Sequence, residues 1–112
     1  MGDHGSVSDQ LFHILLSMID EPKHGYAIIQ EVQGRTKGGL RLGASTLYSA
    51  IKRIRARGWV EEVAAPGTGE DPRRRYYGLT RVGRRVVRDE ARRLEELVRH
   101  ARAKDLLTKR TT

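Results

Sequence analysis

Cysteine is absent from the 112 residues, which excludes disulfides, thiolate nucleophiles and thiolate metal ligation together and fits a reducing, cytoplasmic setting. Long apolar runs are missing too. The longest, around Leu11 to Ile19, is interrupted by His13 and Ser17 and falls far short of the roughly 20 residues that span a bilayer. The N-terminus, Met-Gly-Asp-His, lacks the basic segment of a secretory leader, so no membrane partner is expected. Aromatic residues make up 5%, which argues against a large stacking cavity and against a platform for single-stranded RNA bases. His4, His13, His24 and His100 are scattered without a metal-ligand spacing, and no nucleophile stands beside a base. Accordingly no catalytic residue, metal site or cofactor is expected.

What the chain has in excess is positive charge. Lys and Arg number 22 against 14 Asp and Glu, a net of +8. The excess is uneven: residues 1–40 hold three basic and five acidic residues, a net of −2, whereas residues 41–112 hold 19 and 9, a net of +10. This polarity implies that one face meets a polyanion, nucleic acid first and an anionic membrane second. At 38% hydrophobic residues there is material for one modest core.

Apolar periodicity divides the chain. From Ser8, an expected N-cap, Leu11, Phe12, Leu15, Leu16, Met18 and Ile19 recur at helical spacing until Pro22 forces the preceding backbone out of the α region. A second helix carries Tyr26, Ile28, Ile29 and Val32 and stops in the Gly34–Gly39 region. A third runs from Ala44 to Arg57, closed by Gly58. The period then shortens: Trp59–Val63 and Arg75–Leu79 flank a Pro/Gly-rich stretch and read as a hairpin. Thr80 caps a last helix reaching about Leu107. The fold class expected is therefore mainly α with a small β-hairpin, a winged helix-turn-helix over residues 8–80 plus one long C-terminal dimerisation helix over 81–107. Residues 1–7 and 108–112 read as flexible ends.

In a winged helix the third helix enters the DNA major groove and the hairpin touches the backbone beside it. Leu47, Ala50, Ile51 and Ile54 pack inward, which turns Ser45, Thr46, Ser49, Lys52 and Arg53 outward with Tyr48 at the edge. Basic residues in this helix meet no acidic one, unlike the mixed signs of an ordinary solvated helix. The bland alternative is that Ser45 and Thr46 merely cap the helix. In the hairpin, Arg73, Arg74 and Arg75 follow Gly67-Thr68-Gly69 and read as a wing on the phosphate backbone, with alternation sending Arg74 to the opposite face. Cross-strand pairing of these arginines with Glu61 and Glu62 is the competing reading.

Three runs, His24–Ile29, Ser45–Ile54 and Pro72–Gly83, together resemble the PadR family of transcriptional regulators over roughly residues 10–85. The resemblance implies a homodimeric, usually repressing winged-helix protein, released from its promoter by a small effector or stress signal, with the single tail helix of the short-tailed subgroup. Ser45 and Ser49 stand where the family more often has Gly and Pro, which leaves the base preference open.

A last helix of about 27 residues would be about 40 Å long, more than the body of roughly 80 residues can cover. Leu94, Leu97, Val98 and Ala101 would then need a second copy of the chain. An effector, if present, would sit in the groove between the first and last helices, with Phe12, Leu16 and Leu97 as candidates. The partners expected are thus double-stranded DNA, a second copy and a possible small effector. An alternative is a winged-helix assembly module whose basic surface binds an acidic protein.

Overall fold

A computed structural model describes residues 7–67 and 73–107. Its elements are α1 (Asp9–Leu16), β1 (Lys23–His24), α2 (Gly25–Thr36), α3 (Ala44–Ala56), β2 (Val60–Val63), β3 (Tyr76–Leu79) and α4 (Arg81–Ala103). Ser8 caps α1 by accepting from the Leu11 amide, and Thr80 caps α4 by accepting from that of Gly83, as the side chains of such residues do at helix starts. The inward faces of α1, α2 and α3 close one core, in which Ile14, Leu15, Ile28, Val32, Leu47 and Ile54 are fully buried.

Three sequence expectations are corrected. The hairpin is part of a three-stranded antiparallel sheet in the order β1-β3-β2, because Lys23 and His24 pair with Tyr77 and Tyr76; two residues are too few to show a period. α1 ends at Leu16 rather than Ile19, since Ser17 Oγ and Arg35 Nη1 both donate to the His13 carbonyl and the chain tightens into i to i−3 bonds from Met18 and Ile19. α4 ends at Ala103, short of Leu107, because Asp105 adopts φ 59° and the Leu106 and Asp105 amides close onto the Ala101 and Arg102 carbonyls, a Schellman ending without its usual glycine. Of the expected flexible ends, Val7 packs against the core, while residues 1–6 and 108–112 lie outside the described residues.

The N-terminal charges are largely consumed internally. Lys23 Nζ donates to the Ser17 carbonyl and to Asp20, both at 2.7 Å, and lies 3.5 Å from Glu31. Arg35 bonds Glu31 at 2.6 Å and reaches Ser17 Oγ. The hydrogen bond from Lys23 holds the Asp20 carboxyl below its ordinary value despite some desolvation. Burial pulls the Lys23 ammonium down, but Asp20 and Glu31 raise it overall.

The helices and the sheet meet at one tight junction. α3 closes through Gly58 at φ 79°, with the Gly58 and Trp59 amides donating to the Arg55 and Ile54 carbonyls. The Trp59 carbonyl accepts from the Thr80 amide at 3.0 Å, and Thr80 Oγ1 donates to the Gly58 carbonyl at 2.6 Å. The first turn of α4 lies so close that a Cβ on Gly83 would fall 2.0 Å from the Trp59 oxygen. Backbone cannot yield there as a flexible side chain would. Gly83→Ala should therefore lower stability by about 1–3 kcal/mol, the usual cost of overpacking. Gly34→Ala, within α2 with open space around its Cα, should raise it by roughly 0.5–1 kcal/mol. Urea unfolding midpoints check the pair, and equal midpoints for the two variants would contradict the close junction.

Candidate nucleic-acid interface

α3 divides as its periodicity predicts: Leu47, Ala50, Ile51 and Ile54 are buried, and Ser45, Thr46, Tyr48, Ser49, Lys52 and Arg53 are exposed. Its N-cap is Gly43, with no side chain capping the helix. Ser45 and Thr46 are therefore not capping residues, and their hydroxyls sit in the exposed first turn, where the helix dipole favours anions. Ion pairing of α3 with the sheet is confined, among the described residues, to Arg55 and Glu62 at 3.9 Å.

The three wing arginines precede β3, which begins at Tyr76. Strand alternation consequently does not reach them. Arg73, Arg74 and Arg75 all line one cavity of about 470 Å³, together with His24, Gly25, Tyr26, Tyr48 and Tyr77, instead of dividing between two faces. The loop tip with Thr68, Gly69, Glu70 and Asp71 lies outside the described residues. A second cavity of about 400 Å³ adjoins the first at Tyr48 and Tyr77 and is lined by Ile51, Lys52, Arg55 and Ala56. Tyr48 and Lys52 are thus brought together with the wing, while Ser45, Thr46, Ser49 and Arg53 stand outside both linings.

Two residues that set this geometry were legible only in part. His24 caps α2, its Nδ1 accepting from the Ala27 amide at 3.2 Å, and its ring meets Tyr76 edge-on at 5.3 Å. Arg74 Nη1 lies 2.8 Å from His24 Nε2. Gly25 is required by Tyr48: a Cβ at position 25 would lie 2.3 Å from the tyrosine hydroxyl. The His24-Gly25-Tyr26 run was the sequence signal for both.

Tyr77 gave no such signal. It is only 4% exposed. Burial, with Glu62 and Tyr48 nearby, raises its pKa against the opposing pull of Arg75 and Arg55, so at neutral pH its hydroxyl is a neutral donor.

Along α4, Val86 and Val87 are buried against the body, Leu94 and Ala101 are half-buried, and Leu97 and Val98 are 53% and 42% exposed. Arg93 engages Glu90 through two bonds, at 3.1 and 2.6 Å, an i,i+3 pairing on the helix surface. Phe12 and Leu16 pack against the core, which leaves Leu97 as the open member of the expected effector group.

Comparison with known proteins agrees with this architecture. The family model for the Transcriptional regulator PadR-like family matches residues 14–89. The transcriptional regulator Rv3488 of Mycobacterium tuberculosis is 33% identical over 87 residues, 78% of this chain and 77% of that protein. A 37.1 kDa protein of a Streptomyces fradiae transposon is 33% identical over 93 residues, 80% of this chain, but the chain spans only 24% of its length. Among solved structures, a transcriptional regulator from Clostridium thermocellum superposes with a TM-score of 0.67 at 25% identity, covering 88% of this chain and 97% of that one. The fold is also that of Bacillus subtilis PadR in complex with operator DNA, with a TM-score of 0.63 at 16% identity over 77% of this chain and 48% of that one. The family match covers most of the winged-helix body and the start of α4, and the chain belongs to the PadR-like family of transcriptional regulators.

Proposed function

We propose that the protein is a homodimeric, cytoplasmic, sequence-specific DNA-binding repressor that grips a palindromic promoter operator through α3 and the wing and is released by an effector or stress signal. The observation that carries the reading is the exposed face of α3. Ser45, Thr46, Ser49, Lys52 and Arg53 share it without an acidic neighbour in the helix, and Arg73, Arg74 and Arg75 flank it at the wing base. Small hydroxyls admit close approach to base edges, and guanidinium groups take backbone phosphates. Residues 8–80 form the DNA-binding part in this reading and residues 81–107 the dimerisation helix.

Dimerisation follows from apolar surface left in water. Leu97 and Val98 on the distal half of α4 and Leu106 just beyond it are exposed, and the same helix of a second copy would cover them by two-fold pairing. The elongated shape agrees: the radius of gyration is 15.9 Å, against roughly 13 Å for a compact chain of this length. The groove beside Phe12, Leu16 and Leu97 is the effector seat in this reading.

Two measurements test it. Arg73→Ala combined with Arg75→Ala should weaken binding to all duplexes and flatten the dependence of log affinity on log salt by about 1–2 units; an unchanged slope would remove the wing from the interface. Leu97→Glu should give monomers in sedimentation together with loss of tight operator binding, and a dimer of unaltered stability would refute the proposed pairing.

A further inference from the structure

The first half of α4 has two unlike faces. Gly83, Val86, Val87 and Glu90 are buried against the body, and opposite them stands a row of exposed arginines. At about 100° and 1.5 Å per residue, Arg81, Arg85, Arg88 and Arg92 fall within an arc of about 60° along a line of about 16 Å. None of the four has an ion pair or a hydrogen-bonded side-chain partner among the described residues. They differ in this from Arg35, Arg55, Arg93 and Arg99, each held by a glutamate, and from Arg84 on the flank, which donates to the Ile19 carbonyl at 3.3 Å. Glu90 lies on the buried side, half-buried Asp89 borders the row, and Glu95 and Glu96 follow only beyond it. Like charges at i,i+3 and i,i+4 destabilise a helix, so helix stability does not account for the pattern.

The row is set apart from the surface assigned to the duplex. α4 starts against Gly58 and Trp59, where α3 ends, whereas Ser45 and Thr46 stand in the first turn of α3, about 18 Å away along its axis. The wing arginines precede β3 and α4 follows it, so they too lie at the far end of their element. A lipid surface fits no better. Val86 and Val87 are buried, and Val82 is the one large apolar residue exposed in this half of α4, so no apolar face is left to enter a bilayer boundary.

We infer that this face docks an acidic protein segment, an α-helix carrying Asp or Glu at the same i, i+4, i+7 and i+11 spacing. Two α-helices share one rise, so carboxylates at that spacing stay in register with the four guanidinium groups along the whole row, and each guanidinium fork can hold a carboxylate through two bonds. The contact is polar and open to solvent, which makes it weak and sensitive to salt. The inference goes beyond the DNA-binding reading and does not depend on it.

The probe is an alanine-based helical peptide with four glutamates at i, i+4, i+7 and i+11, compared with a peptide of the same composition whose glutamates are spread around the helix. Titrated into the full chain at low salt, the aligned peptide should shift the amide resonances of residues 81–92, leave those of residues 44–53 unmoved, and bind severalfold tighter than the control. Arg85→Gln combined with Arg88→Gln, at exposed positions and with a good helix former, should weaken peptide binding roughly fivefold, the effect of two exposed ion pairs, and leave duplex affinity unchanged. Arg81→Gln combined with Arg92→Gln should do the same and serves if the first pair perturbs the fold. Equal affinity for the two peptides, equal peptide affinity of wild type and variants, or shifts confined to α3 and the wing would overturn the docking face. So would variants that lose affinity for duplex, or for vesicles of phosphatidylglycerol and phosphatidylcholine, without loss of peptide binding, results that give the row to flanking DNA or to a membrane. Failure of the wild type to bind duplex, with the peptide response intact, would refute the DNA-binding reading and leave this face in place.

Discussion

The close approach of Gly83 to the Trp59 carbonyl is the constraint on which the rest of the arrangement depends. That carbonyl belongs to the link between α3 and β2, and it also receives the Thr80 amide at the end of β3. Within a few residues, then, the end of α3, both long strands of the sheet and the start of α4 share one set of backbone contacts. α3 carries the exposed basic face, and α4 carries the exposed leucine and valine stripe. Their relative orientation is set by packed backbone rather than by a linker, because any side chain at position 83 would force the helix away. In the proposed dimer this junction determines how far apart the two α3 helices stand.

Charge is organised by the same division. Lys23, Arg35, Asp20 and Glu31 pair with one another and with the end of α1, so the segment before residue 41 projects little field. Among the described residues, the ion pairing of α3 with the sheet is one long pair, Arg55 with Glu62 at 3.9 Å. Uncompensated charge of this kind attracts a polyanion at long range and is weakened by salt. It does not distinguish sequences. In the proposed reading, selectivity comes from the short polar side chains of Ser45, Thr46 and Ser49, whose reach is limited to base edges in direct contact.

How much of this was legible in the sequence depended on the length over which each signal repeats. α2, α3 and most of α4 were plain, because burial of Leu47, Ala50, Ile51 and Ile54, or of Val86 and Val87, recurs over several turns. Helix ends were less so. Asp105 takes a left-handed conformation usually marked by glycine, and α1 was shortened by a guanidinium arriving from α2. β1 could not be seen at all, since its two residues are defined by pairing with β3. In the site, the outward residues of α3 followed from helical geometry alone. Tyr77 did not, because a tyrosine in a short aromatic strand looks like core, whereas it lines the cavity that Arg73, Arg74 and Arg75 also line.

The central claim is that the junction holds two α3 helices at a fixed separation on one duplex. Footprinting of the promoter DNA upstream of the gene, at two salt concentrations, measures this most directly. The account predicts two protected half-sites related by a palindrome and centred about 34–36 Å apart, one turn of the duplex, with the same pattern at both salts and weaker occupancy at the higher. A single protected patch, or diffuse protection that disappears with salt, would contradict it.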